Sequence, residues 1–257
     1  MARFKTEQNY RLYMSRQKKS RFAATKLMDN IVEFGKDNFL TMPGKWNSEM
    51  FENENPIVLE LACGKGEYTE GLAFEFPDRN FIGMDIKGAR LYVGAKSALD
   101  LGLKNVAFVR GRIESLRGFF GWREISELWI TFPDPRPKAG DEKRRLTHPR
   151  FLRLYQHILK PGGIIHLKTD NPPLFRYSVE MVKEMGGTIL AQTTSLYESP
   201  WKEDHHGIQT YFENKFTQKG FSINYLRFQL PELEVEDGKA DPVFYPEMNG
   251  RLHKLEV

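Results

Sequence analysis

Residues 57–67 read Ile57-Val58-Leu59-Glu60-Leu61-Ala62-Cys63-Gly64-Lys65-Gly66-Glu67. A short apolar run ends in a glycine turn, and Glu67–Phe76 continues at helical spacing until Pro77-Asp78 closes it. Strand, tight turn and helix in that order form the opening half of a βαβ unit. The same alternation recurs downstream. Strands are expected at Asn80–Asp85, Val106–Arg110, Glu127–Phe132 and Ile164–Lys168, with later candidates at Thr188–Ala191 and Phe221–Phe228. Helices are expected at Ala89–Leu101, Pro149–Leu159 and Leu174–Met185, stopped by Gly102 in the first case and by Lys160-Pro161-Gly162-Gly163 in the second. Right-handed βαβ crossovers then give an α/β fold with a mostly parallel sheet and helices on both faces.

Ligands of such sheets bind beyond the carboxyl ends of the strands. Four expected strand ends carry chemistry there: the loop Glu60 to Gly66, Asp85, Asp134, and Thr169-Asp170-Asn171. A dinucleotide fingerprint G-x-G-x-x-G fails in both registers, because Thr69 or Glu67 stands where the third glycine belongs. The phosphate loop G-x-x-x-x-G-K-[ST] is absent. Glu60 disfavours a pyrophosphate and suits a cationic or amine-bearing ligand, while Asp85 is placed to bind a ribose diol. A phosphate-free, positively charged nucleoside meets both conditions, which describes S-adenosylmethionine.

The 257 residues suit one α/β domain with extensions. We read a basic N-terminal arm over 1–45, a central domain over 46–230 and an acidic extension over 231–257. Residues 1–26 hold eight Lys and Arg against Glu7 alone, interleaved with Phe4, Tyr10, Tyr13 and Phe22, and residues 1–40 have helical character. Arg136, Lys138, Lys143, Arg144, Arg145 and Arg150 form a second basic cluster. From Pro231 onward, seven acids face three bases. Two separate basic clusters suit a polyanion, because phosphate neutralisation releases counterions. The single cysteine, Cys63, excludes an intrachain disulfide framework and a multi-thiolate metal site. No apolar stretch is long enough for a membrane span, and mean hydropathy is −0.54. The expected protein is cytoplasmic, without membrane or metal, and either a monomer or a homodimer. Several residues have plain structural readings: Cys63 as small-residue packing, His205-His206 as a solvated loop, Thr210 and Glu213 as a helix-start capping pair, and Trp122, Trp129 and Phe132 as core or strand residues.

Three later segments add to this: Phe132-Pro133-Asp134-Pro135-Arg136-Pro137-Lys138 with Lys143-Arg144-Arg145-Leu146, then Thr169-Asp170-Asn171-Pro172, then Thr210-Tyr211-Phe212-Glu213-Asn214-Lys215-Phe216. In this order, from about Ile57 to Arg227, the chain resembles the bacterial tRNA (guanine-N7-)-methyltransferase family. The resemblance implies a class I, Rossmann-like S-adenosylmethionine-dependent methyltransferase, methylating N7 of the guanine at position 46 in the tRNA variable loop. It also implies cofactor contacts from Glu60, Gly64, Gly66, Asp85, Arg112 and Asp134. Substrate contacts would come from Lys138, Asp170, Thr210 and Glu213, with Asp134 and Asp170 as the catalytic pair. Arg136, Lys143, Arg144 and Arg145 are candidates for RNA contact. The chain departs from the family pattern in three places. Arg136 replaces the aromatic of PDPW, Arg112 stands where an acid or Asn is usual, and Ala62 replaces the first loop glycine. Methylation of another RNA, or RNA binding without catalysis, remain the alternatives at this point.

Overall fold

In the computed structural model, which describes residues 17–37 and 39–233, eight strands form one sheet in the order β1-β4-β3-β2-β5-β6-β8-β7. The strands are β1 (Ile31–Glu33), β2 (Ile57–Leu61), β3 (Asn80–Asp85), β4 (Val106–Arg110), β5 (Ile125–Thr131), β6 (Leu159–Thr169), β7 (Thr188–Thr193) and β8 (Asn224–Gln229). β1 to β6 run parallel, and β8 lies antiparallel between β6 and β7. The chain moves outward from β2 through β3 to β4, then returns to β5 on the other side of β2. That reversal is the topological switch point, where an open α/β sheet leaves a crevice.

The helices are α1 (residues 17–25), α2 (Glu67–Glu75), α3 (Gly88–Asp100), α4 (Leu116–Phe119), α5 (Pro149–Ile158), α6 (Pro172–Glu184) and α7 (Tyr211–Thr217). α5 and α6 begin with proline at the first turn, where no amide hydrogen is needed. The Asn171 side chain caps α6 by accepting from Leu174 N at 2.8 Å. The two sheet faces differ in chemistry. On one, Leu59, Leu61, Ile82, Val109, Ile130 and Leu167 pack against α4, α5 and α6 in a wholly apolar layer. On the other, α2 and α3 cover Val58, Phe81, Phe108 and Trp129. The ionisable positions Glu33, Glu60, Asp85, Arg110, His166 and Lys168 share the register of that second face. Period-two alternation is thus kept inside a sheet buried on both sides.

Several expectations need correcting. Within the arm, α1 keeps the helical character, but Ile31–Glu33 pairs with β4 as the edge strand. Ile31, Val32, Phe39 and Met42 are core residues. Lys160 to Gly163 is a bulge inside β6, because Leu159 already pairs with Ile125 before the register shifts. Trp122 is 40% exposed, unlike the fully buried Trp129. His205 is buried edge-on to Tyr197, and His206 meets Phe76 at 4.7 Å, so the pair is not simply solvated. Residues 1–16, including Phe4, Tyr10 and Tyr13, and the acidic stretch from 234 onward lie outside the described residues. Among the described residues, no helix is long and apolar enough to cross a membrane, and no group of His, Cys, Asp and Glu could hold a metal ion.

Candidate active site

The turn after β2 places three residues of five in the left-handed region: Ala62 (φ 56°), Gly64 (φ 63°) and Gly66 (φ 75°). Gly64 has open space where a Cβ would stand. Its amide donates to Asp85 Oδ2 at 3.0 Å, and Lys87 N donates to Asp85 Oδ1 at 2.8 Å. The end of β3 is thereby tied to the loop after β2. A Cβ on Gly94 of α3 would fall 2.2 Å from the Lys65 carbonyl oxygen. The close helix–loop approach that a third fingerprint glycine provides therefore comes from another helix.

Two clefts meet at Ala62. One, of about 310 Å³, is lined by Asp85, Ile86, Arg112, Arg136 and Arg144 among others. The other, of about 240 Å³, lies between Gly64, Lys65, Thr131 and Phe132 on one side and Thr210 to Phe212 on the other. Tyr211 N donates to Glu67 Oε2 at 2.7 Å, joining the starts of α7 and α2 across this second cleft.

Glu60 lies beneath the loop and is 2% exposed. Oε2 accepts from Thr69 N at 2.9 Å and from Thr69 Oγ1 at 2.5 Å, and Oε1 accepts from Thr131 Oγ1 at 2.5 Å. Burial pushes its carboxyl up to about 7, against the pull of those bonds and of Lys168. Both oxygens are engaged within the protein, so Glu60 fastens β2, α2 and β5 together at the switch point. It does not open on a cleft as a ligand for an amine would. Cys63 is buried beside it, and burial raises its thiol well above the ordinary range, which fits the packing reading.

The structure separates the other predicted residues by accessibility. Asp134 is exposed and pairs with Arg136 Nε at 3.2 Å. Lys138 and Lys143 are exposed, with Lys138 preceding the 3-10 turn Ala139–Arg144. Asp170 is half-buried just past β6, and desolvation raises its carboxyl. Thr210 Oγ1 accepts from Glu213 N at 3.1 Å as the cap of α7, so the capping reading holds for the threonine. The Glu213 carboxylate does not return to Thr210. Fully buried, it takes Lys168 Nζ at 2.8 Å and the Tyr197 hydroxyl at 2.7 Å. Arg145 Nε and Nη2 both donate to the Arg136 carbonyl at 3.2 Å, and its guanidinium lies 4.3 Å from the Tyr177 ring centroid. Arg145 thus braces the 133–138 loop from α6. Sequence reasoning overlooked Tyr211, Phe212 and Lys65 as cleft residues, and overlooked buried Lys168. The Thr-Tyr-Phe-Glu segment held the signal for the first two, since an aromatic pair beside a capping residue has no core to fill.

The solved structures that this fold resembles include a 16S rRNA methyltransferase, KamB, at TM-score 0.56 and 16% identity over 72% of this chain and 92% of that one. A 30S ribosomal A1408 methyltransferase from an uncultured bacterium aligns at TM-score 0.52 with 15% identity over the same shares. These likenesses show the class I Rossmann-like methyltransferase architecture. The family profile described as a putative methyltransferase matches residues 54–226. A Cytophaga hutchinsonii protein is 42% identical over 84% of this chain and 99% of its own length, and one from Christiangramia forsetii is 44% identical over the same shares. A Porphyromonas gingivalis protein reaches 46% over 79% of this chain and 83% of its own length. All three carry the name tRNA (guanine-N(7)-)-methyltransferase. Identity at that level over 83–99% of the relatives' own length means that the chain belongs to the tRNA (guanine-N(7)-)-methyltransferase family.

Proposed function

We propose that the protein transfers the methyl group of S-adenosylmethionine to N7 of a guanine in tRNA, at position 46 of the variable loop, and acts in the cytoplasm. The observation that carries this reading is the Gly64–Asp85 hydrogen bond at the switch point. It sets a carboxylate beside a loop whose backbone has open space above Gly64. A ribose diol needs an acceptor pair at such a strand end, and a phosphate-free nucleoside needs no cationic floor there. Asp85, Gly64 and Gly66 would hold the nucleoside part, with Lys65, Thr131 and Phe132 around the amino-acid part. When bound, the cofactor supplies an electrophilic methyl on a sulfonium centre.

Guanine N7 has a free lone pair and no proton, so no general base is obligatory. The residues need mainly to position the base and to accept its hydrogens. Asp170 is assigned the N1–H and exocyclic amine of guanine, with Asp134 shared between base and cofactor, and Lys138 and Thr210 on the substrate side. Adenine offers a different edge, and each buried mismatch costs roughly 1–3 kcal/mol. Asp170→Asn should keep affinity for S-adenosylhomocysteine and lose turnover on tRNA, as calorimetry and a methyl-transfer assay would register. Loss of cofactor affinity in that variant would remove Asp170 from base recognition.

The decisive assay is transfer of labelled methyl to unmodified tRNA, with the product mapped by the backbone cleavage that N7-methylguanine permits. One cleavage in the variable loop is expected. Cleavage elsewhere, or transfer only to another RNA, would redirect the assignment.

A further inference from the structure

The larger cleft holds a charge arrangement that a phosphate-free cofactor does not explain. Arg112 follows β4, Arg136 follows β5, and Arg144 ends the turn Ala139–Arg144, yet all three line this one space with the carboxylates Asp85 and Glu114. Their side chains are 52%, 38% and 65% exposed, which places them at the mouth rather than the floor. Each is tied at one edge to a carboxylate: Arg112 Nε to Glu114 at 3.9 Å, Arg136 Nε to Asp134 at 3.2 Å, and Arg144 Nη1 to Asp141 at 3.1 Å. A guanidinium has five N–H donors in a planar fork, so each has further donors beyond that tie. A sulfonium nucleoside is itself cationic and has no use for the remaining N–H donors of three guanidinium groups. A phosphodiester matches the fork geometry and neutralises the charge.

Resting on the tRNA reading above, we infer that Arg112, Arg136 and Arg144 form a phosphate-binding rim that grips the RNA backbone next to the target guanine. Arg112 is thereby an RNA contact rather than an adenine contact. Arg136 supplies a charge-assisted grip from the loop after β5.

The test measures tRNA binding across a salt series for the wild type, for Arg112→Gln, Arg136→Gln and Arg144→Gln singly, and for the triple variant. S-adenosylhomocysteine affinity is measured by calorimetry in parallel. Each lost phosphate contact should lower the steepness of log K against log salt by roughly 0.7–0.9, and the triple variant by about three times that. Cofactor affinity should stay within about two-fold, and melting temperatures should not move, because the three side chains are partly exposed. Lys96→Gln, exposed on α3 and paired with Asp100, is the control and should leave the slope unchanged. An unchanged slope in the triple variant overturns the proposal, as does an equal loss in the Lys96 control. A fall in cofactor affinity for Arg112→Gln at constant slope would return that residue to the adenine. Binding of adenosine 5′-monophosphate that the triple variant loses, again at constant slope, would point to a free nucleotide and equally overturn it. A wild type that neither binds nor methylates tRNA would fail the functional reading itself, a result separable from all of these.

Discussion

At Ala62 the backbone is held at φ 56°, where an L-residue with a Cβ is strained by about 1–2 kcal/mol. A glycine there would relieve that strain but would lose more backbone entropy on folding, about 0.5–1 kcal/mol. Ala62→Gly should therefore gain about 0.5–1 kcal/mol in urea unfolding, and no gain would mean that the turn is not strained there. Glu60, two residues earlier, couples stability to pH. Its folded carboxyl lies near 7, above its unfolded value of 4.5, so the fold favours the neutral form. The stability from this group is fully present below about pH 4.5 and is lost as pH rises through about 7. The loss is on the order of 3 kcal/mol. Glu60→Gln keeps the acceptor for Thr69 and offers a donor to Thr131 without a charge. Unfolding measured at pH 5 and pH 8 should show the wild type falling relative to this variant, and parallel pH profiles would sink the assignment.

Among the elements, α7 depends on a buried ion pair. It is seven residues long, too short to be stable alone, yet it carries Thr210 to Phe212 at one cleft. Lys168 of β6 and Glu213 of α7 are both fully buried and meet at 2.8 Å, with Lys168 Nζ also 4.8 Å from the Tyr68 ring centroid. Removing one partner strands a charge, which typically costs 3–5 kcal/mol. Lys168→Met should therefore destabilise by about that amount, and Lys168→Met with Glu213→Leu by clearly less. A thermal or urea double-mutant cycle checks this, and additive losses would count against the pair. The short elements also mark how far the sequence is legible. β2 to β5, α2, α3, α5 and α6 are readable, because each is a run long enough to show its period and is closed by Gly, Pro or a cap. β1 is three residues just beyond the basic run that ends at Lys26, too short to show a period, and its pairing with β4, the Glu33–Arg110 ion pair and the Asn30 side chain's bond to the Ala95 carbonyl at 2.9 Å define it. The site divides the same way. Asp85 and the glycine loop are legible because strand ends carry ligands, whereas the enclosure of Glu60 and Glu213 depends on Thr69, Thr131, Lys168 and Tyr197, distant in sequence. No local pattern reports such partners.

Across the whole molecule, basic segments flank the clefts on two sides. On one side stands the loop from Arg136 to Arg145, braced by Arg145 on Tyr177. On the other, α1 is anchored at the C-terminal end of β4. The Phe22 ring lies 4.1 Å from the Arg110 guanidinium, which pairs with buried Glu33 at 2.6 Å. Gly88, at the start of α3, is close to both Phe22 and Arg110. The anchor thus uses the apolar side of α1 and leaves Lys18 and Lys19 exposed, with Arg21 partly so. A folded RNA spans distances that one loop cannot cover, and two positive flanks around one site fix its orientation as well as its affinity. Neutralising the α1 flank as Lys18→Gln, Lys19→Gln and Arg21→Gln should weaken tRNA binding without touching the cofactor. If all three meet phosphates, the salt slope should fall by roughly 2–3, because each contact contributes about 0.7–0.9. Because Phe22, Arg110 and Glu33 are retained, the melting temperature should hold. A variant that keeps its slope and affinity would show that α1 docks on the sheet for structural reasons alone. One that loses S-adenosylhomocysteine affinity as well would show that the Phe22–Arg110 anchor reaches the nucleoside half of the cleft.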